Sequence, residues 1–187
     1  MMNTTHAAMG VALAAPLTVL APELAPAAAL AAIAGGVFPD LDLFGGQHRR
    51  TLHFPVYYAV AALVAGAAAA VWPSVETVAV AFFLLSAALH AATDALGGGL
   101  ELRPWEPSDD RGVYLHPAKR WIRPRRWIRY DGAPEDLVLA AVLSLPGLLL
   151  FDGLVRKLTV AGLAVSVVYT AVRKRLPELE GRLSGEQ

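Results

Sequence analysis

Thr77-Val78-Ala79-Val80-Ala81-Phe82-Phe83-Leu84-Leu85-Ser86-Ala87-Ala88-Leu89-His90-Ala91-Ala92-Thr93-Asp94-Ala95-Leu96 is the stretch that decides the fold. It is long and apolar enough for a helix crossing a bilayer, which takes about 20 residues. Gly97-Gly98-Gly99 stops it. Its two ionisable residues, His90 and Asp94, stand at i and i+4 and therefore share one helix face. Burying such groups among alanine and leucine is costly unless each has a partner, and a metal ion is a common partner for clustered His and Asp.

Working outward, the same character recurs. Residues 55–72 predict an apolar helix with Pro55 in its first turn, where proline is tolerated. Trp72-Pro73-Ser74 is a tight turn. Residues 7–21 and 26–38 are Ala-rich and too short for a full span, so they predict a hairpin of two short or tilted helices. Two further apolar segments lie at about 137–152 and 158–172, and the polar tail after them predicts a frayed end. No strand-like alternation stands out. The expected fold is all-α: a polytopic transmembrane bundle of about six hydrophobic helices, the first two short. Three regions are expected: a helical core with the metal site at 1–105, a basic aromatic loop at 106–136, and a C-terminal hairpin and tail at 137–187.

The composition agrees. Of 187 residues, 56% are hydrophobic and 17% charged, with a mean hydropathy of +0.47. Soluble domains carry about 25% charged residues. The formal net charge is zero, so bulk charge points to no partner. The sequence has no cysteine, which excludes disulfides, thiolate zinc sites and a cysteine nucleophile. No basic residue precedes the first apolar run, so that run is expected to be retained rather than cleaved as a secretory signal.

Six alternating segments would put 14 of the 16 Lys and Arg residues on one side, leaving Arg156 and Lys157 on the other. The basic side is then cytoplasmic, which predicts a multi-pass cell-membrane protein. His6, Asp40, Asp42, His48, His53 and Asp94 fall on that same side. His90 lies about 10 Å inside, at 1.5 Å of rise per residue.

These seven residues are the candidate metal ligands. Each has a plainer reading: a helix-to-helix hydrogen bond for His90, a cap for Asp94, Asx turns for Asp40 and Asp42, and solvated loop or terminal histidines for His48, His53 and His6. Their convergence on one side favours one or two hydrolytic metals, which activate water and stabilise developing negative charge. Mixed imidazole and carboxylate ligands favour Zn²⁺, Mn²⁺ or Fe²⁺ over Mg²⁺ or Ca²⁺, and divalent Zn²⁺ or Mn²⁺ is expected. Asp40, Asp42 or Asp94 would act as ligand or general base. Arg49 or Arg50 would hold an anionic substrate group; the alternative for each is a topology signal.

His6, Pro39-Asp40-Leu41-Asp42, His48-Arg49-Arg50-Thr51-Leu52-His53 and His90-x-x-x-Asp94 resemble, in order and spacing, the signature of a family of small prokaryotic inner-membrane proteins. That family is described as predicted membrane-bound metal-dependent hydrolases, with a LexA-regulated branch. It is thought to be distantly similar to zinc-dependent phospholipase C and single-strand nucleases. Gly97 and Pro104 match a Gly and Pro that usually follow. Arg50 stands where the family usually has Gly, and Phe54 where Ser is common. The resemblance covers about residues 1–105 and implies phosphodiester or ester hydrolysis.

The tetrapeptide Arg-Trp-Ile-Arg occurs at 120–123 and again at 126–129. Trp121, Trp127, Arg123 and Arg126 read as an interfacial anchor on anionic lipid of the bilayer. The membrane already accounts for them, so no nucleic acid is expected. His116 reads as a solvated loop histidine, with a further metal ligand as the alternative. Two other functions stay open: a non-catalytic membrane protein with a structural metal or polar cluster, and a divalent-metal transporter. Transport favours polar residues deep in several spans, which most of these segments lack.

Overall fold

Proline and small polar residues set where the helices begin. In the computed structural model, which describes residues 1–178, Pro26, Pro55 and Pro134 each sit in a first helical turn. The chain forms α1 (Asn3–Ala14), α2 (Leu17–Leu20), α3 (Ala25–Val37), α4 (Pro55–Val71), α5 (Val75–Thr93), α6 (Pro134–Leu149) and α7 (Gly153–Val172). Short 3-10 turns extend α3 over Phe38–Leu43 and α5 over Asp94–Leu96. Ser74 starts α5 with a reciprocal cap: its Oγ accepts from the Thr77 amide at 3.3 Å, and its own amide donates to Thr77 Oγ1 at 3.0 Å. The expected frayed tail lies mostly outside the described residues.

Among the described residues, six helices have 12 residues or more. Among the same residues, three helical stretches, Ala25–Leu43, Val75–Leu96 and Gly153–Glu178, are long and apolar enough to cross a membrane; Pro55–Val71 is apolar but shorter. The segment expected to be too short at 26–38 reaches that length because its 3-10 turn continues it to Leu43. α1 packs against α3, α5, α6 and α7, and α5 lies between α3 and α4. The α1–α3 contact is made of small residues. Ala28, Ala29 and Ala32 are fully buried. A Cβ placed on Gly10 would meet the Ala32 carbonyl oxygen at 2.5 Å, and one on Gly36 the His6 carbonyl oxygen at 2.7 Å. Such small-residue faces let the helix backbones touch. The outer faces of α4 and α7 are apolar and exposed, through Leu63, Val64 and Val168.

One element departs from the all-α expectation. β1 (Val113–Leu115) pairs antiparallel with β2 (Arg120–Ile122), placing Tyr114 opposite Trp121. Their rings meet edge to face at 5.4 Å. The strands have only three residues each, too few for a visible alternation. The first Arg-Trp-Ile-Arg copy supplies β2. The second forms no strand: Pro124 ends the ladder, and Arg126 takes a left-handed φ of 56°. This loop folds back over the end of α5, with Arg125 N donating to Ala95 O at 2.7 Å and Arg126 N to Gly97 O at 3.0 Å.

Candidate metal centre

Four segments bring the acidic and imidazole groups together. His6 comes from α1, and Asp40 and Asp42 from the 3-10 turn after α3. His48 and His53 come from the following loop, and His90 and Asp94 from the end of α5. The loop is closed by Gln47, whose carbonyl accepts from Thr51 N at 2.9 Å and whose amide donates to Thr51 Oγ1 at 2.7 Å. Arg49 adopts φ 61°, a left-handed conformation uncommon outside glycine. It turns a buried guanidinium towards Asp94 while its carbonyl accepts from Tyr114 N at 3.0 Å.

One oxygen or nitrogen from each of Asp40, His53, His90 and Asp94 lies within 4.8 Å of the others, and all four residues are buried. Asp40 Oδ1 is 3.5 Å from His53 Nε2 and 3.3 Å from His90 Nε2. Asp94 Oδ2 is 3.2 Å and 3.4 Å from the same two nitrogens. Asp94 Oδ1 lies 3.2 Å from His6 Nε2 and 3.4 Å from the Met1 amino nitrogen. The His6 and His90 rings stack at 3.7 Å.

The tautomers follow from the other ring nitrogens. His90 Nδ1 donates to the Gly36 carbonyl at 2.5 Å. His53 Nδ1 donates to Asp42 Oδ2 at 2.9 Å, and His48 Nδ1 to Asp42 Oδ1 at 2.8 Å. In the neutral rings the lone pair therefore sits on Nε2 of His53 and of His90, and both atoms are buried without a hydrogen-bond partner. They face carboxylate oxygens, so acceptors point at acceptors. Only a positive charge between them, a proton or a metal ion, makes that stable. The residues present therefore fit a divalent cation with Asp40, His53, His90 and Asp94 around it and His6 alongside. Asp42 acts differently from the other aspartates. It holds two histidines by their Nδ1 protons, the arrangement that orients imidazole ligands and raises their basicity.

His53 records this field. Burial alone would lower its pKa, but Asp40, Asp42 and Asp94 outweigh burial and push it up to about 10. His48 moves the other way, below its ordinary value, because its burial outweighs the help from Asp42.

The remaining predicted residues are dispersed. Arg50 is exposed, bonded to Gln47 Oε1 at 2.9 Å and stacked 4.4 Å over Tyr114, away from the cluster. Arg126 donates to Glu101 at 2.9 Å and to the Asp109 carbonyl at 2.9 Å, so it braces the loop. Arg123 is exposed beside Asp110, Trp121 is half-buried, and Trp127 is exposed. His116 joins neither acid–histidine group and lies 4.5 Å from the Phe54 ring.

Three contributors were not foreseen from sequence. The Gly36 carbonyl was invisible because it is backbone. Thr93 lies inside the His90–Asp94 motif and reaches His6 Nδ1 at 3.5 Å. Asp136, fully buried, accepts from Met2 N at 2.7 Å, Thr5 Oγ1 at 2.8 Å and Gly132 N at 3.0 Å, tying α6 to the start of α1. Its sequence signal was a second acidic residue in a helix's first turn.

Comparison with protein-family models, with curated proteins and with solved structures finds no match.

Proposed function

We propose that this chain is a multi-pass membrane protein with a divalent-metal centre that hydrolyses an ester or phosphoester at the cytoplasmic face. The observation that carries the reading is the pair of buried, unpartnered Nε2 atoms of His53 and His90 facing Asp40 and Asp94. Six crossings and the basic-side orientation are part of the proposal. Three helices are long and apolar enough to span, and six crossings in alternation would gather 14 of the 16 Lys and Arg on one side.

Asp40, His53, His90 and Asp94 would hold Zn²⁺ or Mn²⁺, which would supply a Lewis acid to activate water and offset negative charge developing on the substrate. Asp42 orients His53 and His48 and is occupied by both. Asp94 is engaged through both oxygens. Asp40 retains Oδ2 outside these contacts and borders an open cavity, which supports it as the carboxylate that accepts a proton from the attacking water. Arg49 lines the same cavity, which supports it as the group that binds an anionic ester.

Hydrolysis needs one side of the centre open to substrate. The cavity of about 450 Å³ bordered by Asp40, His48, Arg49 and Asp94 favours that over a closed structural site. A transporter is favoured less, because the cluster gathers at one end of the helices.

The test is metal content by mass spectrometry on detergent-purified protein, beside His90→Ala and Asp94→Ala variants. Stoichiometric metal, lost in a still-folded variant, together with metal-dependent cleavage of a phosphodiester or ester, is the expected result. Metal bound without any turnover leaves the structural reading. A parent that takes up neither Zn²⁺ nor Mn²⁺ overturns both.

A further inference from the structure

The lining of the cavity beside the metal centre is mixed. Asp40, His48, Arg49 and Asp94 contribute polar wall, where Glu101 is already paired with Arg126 and Asp131 with Arg173. Leu43, Leu100, Leu102 and Val165 contribute apolar wall. Leu43, Leu102 and Val165 are each more than half exposed, so apolar surface continues from the cavity to the outside. Leu43 ends one stretch long enough to cross a membrane, and Val165 lies within another.

α7 gives the depth. Arg173, at its basic end, borders the cavity and is held to Asp131 through Nε at 2.8 Å and Nη2 at 3.1 Å. Val165 is eight residues before it, about 12 Å further along the helix at 1.5 Å per residue. One end of the cavity is thus level with charged groups, and the other with the apolar flank of a candidate span. A ligand that is polar throughout would leave the leucine–valine wall against water. One that is apolar throughout would bury the carboxylates unpaired. An amphiphile satisfies both walls.

Arg49 indicates the sign of the head group. Its Nη1 is taken by the carbonyls of Gly98 at 2.6 Å and Gly112 at 3.3 Å. Its Nε is buried without a hydrogen-bond partner, 3.6 Å from Asp94 Oδ2. With Asp94 engaged by a cation, this guanidinium is left to pair with an anion.

We infer that the cavity is a binding site for a membrane lipid with an anionic phosphoester head group. The head group lies against Arg49 and the Asp40–Asp94 cluster. One alkyl chain leaves laterally past Leu43 and Val165 into the bilayer. This deepens the hydrolase reading, on which it rests for the fate of the bound molecule.

The test is native mass spectrometry of the protein as purified in mild detergent, titrated with phosphatidylglycerol. A bound species counts whether its mass is that of intact or cleaved lipid. Val165→Trp fills the apolar wall. Leu43→Glu charges the mouth at a residue already exposed and so spares the fold. The expected result is one lipid per chain at saturation, at least tenfold weaker in both wall variants, with the preference over phosphatidylcholine lost in Arg49→Gln. Equal binding by the parent and both wall variants overturns the inference. So does saturation by glycerol phosphate at the concentration the lipid requires, which would mark a site for soluble phosphate. Lipid bound in this way but never cleaved with Zn²⁺ or Mn²⁺ present supports the lipid site and removes the hydrolase reading alone.

Discussion

His90 Nδ1 donates to the carbonyl of Gly36, 54 residues away in the chain, and that bond decides which nitrogen His90 presents to Asp40 and Asp94. Gly36 has a second role: its missing side chain lets α3 touch the backbone of α1 at His6. Gly36→Ala would push a methyl to 2.7 Å from the His6 carbonyl oxygen. Overpacking of this kind costs about 1–3 kcal/mol, and here it displaces two imidazoles at once. Thermal melting should show that loss together with weaker metal binding. Gly66→Ala is the control. Nothing lies within 4 Å of its Cβ position, so it should stabilise α4 by about 1 kcal/mol.

Asp42→Asn keeps the shape of the residue but replaces one acceptor oxygen with a donor. Either His48 or His53 then faces a like group and must change tautomer. Loss of such an orienting partner typically weakens metal affinity 10–100-fold. Titration of the variant with Zn²⁺ should show that drop with full stoichiometry retained. Asp94→Asn, by contrast, should reduce the stoichiometry itself.

The raised pKa of His53 makes two pH effects visible. With a folded-state pKa of about 10 against 6.5 unfolded, its stabilising contribution is complete below 6.5 and is lost as pH rises through about 10. Chelated protein should therefore melt at progressively lower temperature from neutral to pH 10. At pH 7 the ring carries a proton that a metal must displace. Uptake of Zn²⁺ should release protons, read as heats that differ between buffers of different ionisation enthalpy, and affinity should fall on acidification. Heats that do not depend on the buffer would count against His53 as a ligand.

Asp136→Ala leaves Met2 N, Thr5 Oγ1 and Gly132 N without their shared acceptor in a fully buried place. Unsatisfied buried donors cost about 1–3 kcal/mol each before relaxation. The variant should lose several kcal/mol, on the order of 3, by thermal or denaturant melting. Because Asp136 holds the start of α1, metal affinity should fall with it even though Asp136 touches no ligand atom.

The sequence by itself determined most of the helices and the kinds of residue that meet, but not the length of the second early segment, which a 3-10 turn carries on to Leu43. Apolar runs, prolines at first turns and glycine stops are local signals, and each acts within a few residues of where it is read. It also put His90 and Asp94 on one face, because helical spacing is a property of the chain. The two short strands escaped it, since three residues carry no readable period and Val113 pairs with Ile122 only through the loop's return. Only the tertiary structure decided the roles. Asp40 and Asp42 look equivalent in sequence, yet one faces the Nε2 atoms and the other holds the Nδ1 protons. Arg49 and Arg50 are neighbours, yet a single left-handed φ buries the first at the cluster and leaves the second on Tyr114. A histidine's tautomer and a carboxylate's role are set by whichever group lies opposite. In this chain those groups arrive from other helices, as the Gly36 carbonyl arrives at His90.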